Sequence, residues 1–359
     1  MMWFVLISGL VLVIYTIVIL QFRGGIGKNL VPKTQLQLPN ISIVVALKNE
    51  AENVKNLVAS LKSIDYPKEN LEIIMVNDHS TDDTLTHLKN STNISVYSNA
   101  ENGKKRALEL GIKKAKGDWI AVTDADCELS GSWLKSMTSF ITEETKMVLG
   151  PVFIADGSGF LTDLQTIEFL ALQGATSGSA GNSSPISANG ANMLFKKKAF
   201  EQVNPYEDNY HLNTGDDQFL MMAIHNEFSN GIVYAQHTDA MVHTKPVRSW
   251  NKYIQQRVRW ASKGAAYSDW SIKLKGVIIL TTSLVVVSSF LYGLFLTNYY
   301  LAFGFVFAKM LVDSALILPM KRFSGTRYNP LSLMVSAIFY PFMVVFAVVV
   351  GGLKISKVN

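Results

Sequence analysis

A mixed, mainly parallel α/β domain held between membrane helices is the fold class this sequence predicts, on three observations. Uncharged apolar runs stand near both ends of the 359-residue chain. Between them, apolar stretches of strand length alternate with stretches of helical spacing, the pattern of a sheet built from βαβ units. Acidic residues fall where those strands end, at Asp78 and at Asp124 with Asp126, and a further pair, Asp216 and Asp217, comes later.

The apolar runs come first. Hydrophobic residues make up 48% of the chain, and the mean hydropathy is +0.20. Residues 1–20, 276–296 and 331–353 are uncharged and long enough to cross a bilayer, while 299–319 is a weaker candidate because it carries Lys309 and Asp313. The first run lacks a basic n-region and exceeds a signal peptide's apolar core, so it reads as a retained anchor. Arg23, Lys28 and Lys33 follow it, which by the positive-inside rule places the polar region in the cytoplasm, with the Lys321, Arg322 and Arg327 loop on the same side. Lys354 and Lys357 then fall on the outer side, against that rule. Lys309 and Asp313 are four apart and share a helix face, where they line a polar path or neutralise one another.

The predicted layout is an anchor at 1–22, a cytoplasmic α/β domain at 38–244, interfacial helices at 245–272 and a membrane region at 273–359. A net charge of +5 suits cytoplasmic loop bias and anionic lipid rather than nucleic acid. With Cys127 as the one cysteine, no internal disulfide is possible. The Gly- and Ser-rich stretch 177–187 reads as a loop.

Within the polar region, residues 41–47 (ISIVVAL) form a near-continuous apolar run and 71–76 (LEIIMV) read as a second buried strand, as expected of strands covered on both faces. Val54, Leu57, Val58 and Leu61 mark a helix over 52–63. Ser80, Thr81, Asp82 and Asp83 supply N-caps before a helix at 84–89; another helix is predicted at 104–116 and a strand at 119–123. Asn49, Asp78 and Asp124 thus follow the carboxyl ends of strands, where ligands sit in open α/β sheets. Neither a Gly-x-Gly-x-x-Gly after a strand nor a Gly-x4-Gly-Lys-Ser/Thr is present, which disfavours dinucleotide and P-loop sites. Asp124-Ala125-Asp126 can hold a hard cation such as Mg2+ or Mn2+ that bridges diphosphate oxygens. Asp78 either accepts hydrogen bonds from a base or ribose or closes an Asx turn before the next helix.

The segments VALKNEAENV, VNDHSTDDT, NGKKRAL, DADCELSGSWL, TGDDQFL and QRVRW, in that order, resemble the family 2 glycosyltransferases. The likeness runs over residues 41–264 and is to the membrane-integrated branch with cellulose, chitin and hyaluronan synthases and ceramide glucosyltransferases. It implies a GT-A fold and an inverting reaction on a nucleotide-diphospho-sugar. By that resemblance Asn49, Glu50, Asp78, Lys104 and Asp124 contact the donor, Asp126 is the direct ligand of a divalent cation, and Asp217 is the general base. Gln256 and Arg259 match the part of the Gln-x-x-Arg-Trp motif at the donor diphosphate, and Trp260 with Asp216 lies towards the acceptor. Two departures stand out. The family's Glu-Asp pair is Asp216-Asp217, and His243 occupies a place where relatives carry an acidic pair, as a third metal ligand or as an ordinary interface histidine.

Lys104, Arg259 and the cation would stabilise charge on the leaving diphosphate while Asp217 takes the acceptor's proton. The functional reading is a metal-dependent enzyme of the bacterial inner membrane. It moves a sugar from a UDP-sugar to a membrane-associated acceptor, with a lipid favoured. A processive polysaccharide synthase is the alternative, and a non-catalytic sugar-nucleotide scaffold fits less well because every expected acidic position is present. The mixed basic and aromatic residues of 245–270, among them Trp250, Lys252 and Trp270, suit contact with membrane lipids.

Overall fold

The computed structural model describes residues 2–28, 37–89, 91, 93–212 and 214–355. Lys33 and Lys357, used above for sidedness, lie outside them. Ten strands occur among the described residues: β1 (Ile41–Leu47), β2 (Leu71–Asn77), β3 (Ser95–Ser98), β4 (Trp119–Val122), β5 (Cys127–Leu129), β6 (Met147–Leu149), β7 (Val152–Ile154), β8 (Met193–Lys196), β9 (Ile232–Tyr234) and β10 (Val242–Thr244). The helices of the first half are α1 (Met2–Gly25), α2 (Ala51–Lys62), α3 (Thr84–Lys89), α4 (Lys104–Lys114), α5 (Trp133–Thr138) and α6 (Phe160–Gly181). Those of the second are α7 (Lys197–Val203), α8 (Asp216–Glu227), α9 (Trp250–Ser262), α10 (Trp270–Phe295), α11 (Tyr299–Ser324) and α12 (Pro330–Ile355).

Two compact units share the chain. One is formed by Ile26–Ala155 and Ser179–Lys245 and carries every strand. Its main sheet has the order β3-β2-β1-β4-β8-β6-β9. β1 pairs parallel with β2 and β4, and β8 runs antiparallel to both β4 and β6, so the sheet is mixed and mainly parallel as predicted. Ile43, Val44, Val45, Ile74, Met75 and Val76 are fully buried. Complete burial of such side chains contributes roughly 1.5–3 kcal/mol each. The register aligns Leu47 with Asn77, so the turns carrying Asn49 and Asp78 leave the sheet at one level. β5, β10 and β7 form a second sheet of three short strands, which no run in the sequence foretold because each is three residues long.

The other unit comprises Met1–Gly25, Asp156–Gly178 and Pro246–Asn359. It takes in most of α6, so the predicted continuous domain over 38–244 is interrupted. Gly178 shows why: a Cβ there would lie 2.0 Å from the Phe22 carbonyl oxygen, an approach of α6 to α1 open only to glycine. The small residues read as a loop from 177 are therefore, as far as Gly181, the end of a closely packed helix. Among the described residues, four helices are each long and apolar enough to cross a membrane: Met2–Gly25, Trp270–Phe295, Tyr299–Ser324 and Pro330–Leu353. The bilayer-length apolar faces stay exposed, including Leu6, Ile7 and Leu10 on α1 and Leu331, Met334 and Leu353 on α12. Lys309 Nζ lies 2.5 Å from Asp313 Oδ2, and the Tyr15 hydroxyl donates to Asp313 Oδ1 at 2.6 Å, so the charged pair in α11 is neutralised inside the unit. α9 runs along α12: Trp250 meets Phe339 with ring centroids 5.5 Å apart, and Tyr253 packs with Leu164 and Met343.

Candidate active site

The strand unit gathers the acidic residues at the carboxyl edge of its sheet. β2 ends at Asn77, and Asp78 follows, buried. Its Oδ1 accepts the Gly103 amide at 2.9 Å and the Asn99 side-chain amide at 3.1 Å, and His79 Nδ1 stands 3.2 Å away. Burial pushes the Asp78 carboxyl up, but the Gly103 N–H, Asn99 and His79 outweigh it and hold its pKa below the usual aspartate value. Of the two roles open from sequence, the cap belongs to another residue: Asp82 Oδ1 accepts the Thr84 amide at 3.0 Å. Asp78 instead fastens the turn at Gly103, next to Lys104. Asn99, 21 residues away in sequence, was not foreseen as its partner.

Asn49, with φ 57°, accepts the Thr81 amide on its side-chain oxygen at 2.8 Å and ties the end of β1 to the β2–α3 turn. Asparagine is among the few residues that enter this left-handed region readily. Burial raises the pKa of Glu50 above its usual value, and the charges of Asp126 and Asp124 add to the rise. Glu50 therefore belongs to the same electrostatic site as the carboxylate pair.

Lys104 opens α4 and binds two carboxylates, with Nζ 2.8 Å from Asp124 Oδ1 and 3.4 Å from Asp216 Oδ2. Burial opposes its charge, yet Asp124 and Asp216 hold its pKa well above the usual lysine value, so it stays a cation. Gly215, at φ 89°, turns the chain into α8 and leaves Asp216 and Asp217 in the helix's first turn. Carboxylates are favoured there by the helix dipole. Asp217 Oδ1 accepts the Gln218 amide at 2.8 Å, and Gly190 N–H lies 3.4 Å from its Oδ2. A Cβ on Gly190 would lie 3.4 Å from Asp216 Oδ2 and 3.5 Å from Lys104 Nζ, so three chain segments meet at this point. Asp216 is buried beside Lys104. There it shares the charge of Lys104 with Asp124.

Asp126 Oδ2 accepts the Thr244 hydroxyl at 3.2 Å. Burial raises its pKa, and Asp124 raises it further, as for two carboxylates pressed together. That repulsion suits a cation whose remaining positions are filled by ligand oxygens or water. No group of three or more His, Cys, Asp or Glu side chains poised to hold a metal occurs among the described residues. Strand alternation sends His243 to the face of β10 opposite Thr244.

The helix α4 also reaches the approach to α8. The buried Lys105 donates to the carbonyls of Asn209 and, at 2.9 Å, Leu212, while the Arg106 guanidinium lies 3.5 Å from the Tyr210 ring centre. Sequence reasoning passed over both, because nothing local marks a lysine whose partners are main-chain carbonyls a hundred residues on.

Gln256, Arg259 and Trp260 belong to the other unit, on α9. Gln256 and Trp260 are half-buried and Arg259 is exposed.

Residues 42–203 match the family described as Glycosyl transferase family 2. The poly-beta-1,6-N-acetyl-D-glucosamine synthase of Staphylococcus epidermidis is 31% identical over 185 residues, covering 50% of this chain and 44% of that protein. The Staphylococcus aureus (strain COL) protein of the same name is 31% identical over 180 residues, 48% of this chain and 43% of its own. The chain thus spans less than half the length of these relatives. Among solved structures, mannosyltransferase PcManGT from Pyrobaculum calidifontis, in complex with GDP-Man and Mn2+, aligns with a TM-score of 0.59 at 14% identity, over 97% of each chain, and shows the fold. Residues 42–203 thus match the family 2 glycosyltransferases on a fold of GT-A type, in a chain with four helices, among the described residues, long and apolar enough to cross a membrane.

Proposed function

We propose that the protein is an inverting, metal-dependent membrane glycosyltransferase that takes a sugar from a UDP-sugar. The meeting of Lys104, Asp124, Asp216 and Asp217 at one edge of the sheet supports this reading best. Asn49, Glu50 and Asp78 border the donor nucleotide, Asp78 by fixing the Gly103 turn. A divalent cation, Mg2+ or Mn2+, held by Asp126 with Asp124 would offset the diphosphate's charge. Lys104 is a cation already shared between carboxylates, and it can turn to phosphate oxygens without having to be protonated. Arg259, exposed on α9, supplies a second cation to the diphosphate, and Gln256 and Trp260 contact donor and acceptor. Asp217 accepts the proton of the attacking hydroxyl as that oxygen displaces UDP. A single displacement of this kind inverts the anomeric centre.

The acceptor is a membrane lipid in the reading taken from the sequence. The polymer-forming names of the staphylococcal relatives favour a second one, elongation of a polysaccharide. The site faces the cytoplasm of a bacterial inner membrane. The deciding experiment measures UDP release by detergent-purified protein over a panel of UDP-sugars with Mn2+, beside D217N. Release with one donor, lost in D217N, supports the proposal; organic extraction of the product then separates lipid from polymer. Equal release by D217N would remove Asp217 as the base.

A further inference from the structure

Arg257, the second residue of QRVRW, is as buried as any charged group in the protein. Its side chain and that of Glu168 on α6 are both 4% exposed. Arg257 Nε lies 2.8 Å from Glu168 Oε1 and 2.9 Å from Oε2, and Nη2 also donates to Oε2. The Tyr253 hydroxyl donates to Glu168 Oε2 at 3.2 Å. The guanidinium is flanked by two rings, 4.2 Å from the Tyr253 centroid and 4.4 Å from that of Trp260. Its remaining edge, Nη1, donates to the Gln256 side-chain oxygen. Phe169, next to Glu168, supports Trp260 from its own side, with centroids 6.2 Å apart.

An apolar contact would hold α6 to α9 as well as this pair does, since replacing a buried ion pair by apolar side chains is often neutral or stabilising. What the ion pair adds is orientation. A guanidinium gripped by both carboxylate oxygens has a fixed plane. That plane sets the ring of Trp260 against one face and the amide of Gln256 at one edge. Both are motif residues; Arg257 and Glu168 are not.

We propose that Glu168 is a positioning residue, which through Arg257 sets the side chains of Gln256 and Trp260 for sugar transfer. The inference rests on the reading above for those two residues. Burial of Glu168 and Arg257 keeps them from touching substrate, so they act through the motif alone. E168Q keeps the shape but turns an amide N–H2 towards the guanidinium, and the plane is lost.

The test uses full-length protein in detergent with the donor found in the panel, comparing wild type, E168Q and E168M/R257M. Thermal unfolding is followed beside turnover and the binding of UDP with Mn2+. In E168Q turnover should fall about 10- to 100-fold, the scale set by a misplacement near 1 Å, while UDP binding, which keeps its other contacts, weakens by a smaller factor. E168M/R257M should regain wild-type thermal stability without regaining turnover. Recovery of both together would overturn the proposal, because the pair would then be only a strut. Acrylamide quenching of tryptophan reads the clamp without any turnover: it should rise in E168Q, and that rise should vanish in a W260F background. Should wild type release UDP from no donor, the glycosyltransferase reading fails on its own. A quenching change independent of Trp260 would then overturn the positioning role separately.

Discussion

Two cation–carboxylate groups, one in each unit, are built on opposite lines. Lys104 lies between Asp124 and Asp216, its side chain 36% exposed, on a helix that begins at the sheet edge. Arg257 is closed in by Glu168, two aromatic rings and Gln256, at 4% exposure. A point charge on a flexible stem can exchange one carboxylate for another anion as a ligand arrives, whereas a forked guanidinium held at both prongs cannot. The first group is arranged for exchange and the second for permanence. Charge pairing in this protein therefore serves two ends that a count of ion pairs would not separate.

The largest effect lies on the exchangeable side. D217N should reduce turnover by about 10²–10⁴-fold, the usual contribution of a general base, while isothermal titration shows UDP binding retained. Next comes a crossed pair of substitutions that sharpens the contrast. R257M strands a buried carboxylate and should cost about 3–5 kcal/mol of stability. K104M should cost less, because Asp124 keeps access to solvent although the buried Asp216 loses its counter-charge, yet lower turnover by on the order of 10²-fold through loss of charge at the leaving group. If denaturant melts show K104M to be as destabilised as R257M, the two groups are alike and the distinction is gone.

Acid gives a smaller, signed effect. The Asp78 carboxyl is held below its ordinary value of 3.8. A folded-state value below the unfolded one means that its contribution is present above the ordinary range and is lost as pH falls through the folded value. Wild type should therefore lose stability on acidification below about pH 4 more steeply than D78N; parallel acid-unfolding curves would show that the Gly103 turn does not depend on that charge. The smallest change is expected from K309M/D313L. The pair is satisfied within its unit, by itself and by Tyr15, so apolar replacement should leave turnover near wild type and stability within about 1 kcal/mol. A marked fall in turnover would revive the polar path suggested by the sequence.

The strands β1 and β2 and the ends that carry Asn49, Asp78 and Asp124 were legible because most of those strands is buried on both faces, which writes a nearly continuous apolar run. The four long apolar helices were legible for a similar reason, their length being set by a bilayer. Hidden from the sequence was whatever depends on partners far along the chain. Asn99 meets Asp78 across 21 positions and Glu168 meets Arg257 across 89, and no local period records either. The placing of α6 with the membrane helices was hidden too, since its Gly and Ser residues signal turns unless a neighbouring backbone presses against them. The face that His243 takes on β10, opposite Thr244, was hidden as well, because a three-residue strand is too short to write an alternation.

The first turn of α4 carries one further consequence. Three consecutive cations leave it in three directions: Lys104 to carboxylates, Lys105 to the carbonyls of Asn209 and Leu212, and Arg106 to the ring of Tyr210. Each residue of an α-helix advances the side chain by about 100°. Inserting or deleting a single residue there would hand every cation its neighbour's task at once, whereas exchanging one side chain disturbs a single contact. The segment is thus open to substitution and closed to change of length, and its spacing should outlast its spelling as the sequence drifts.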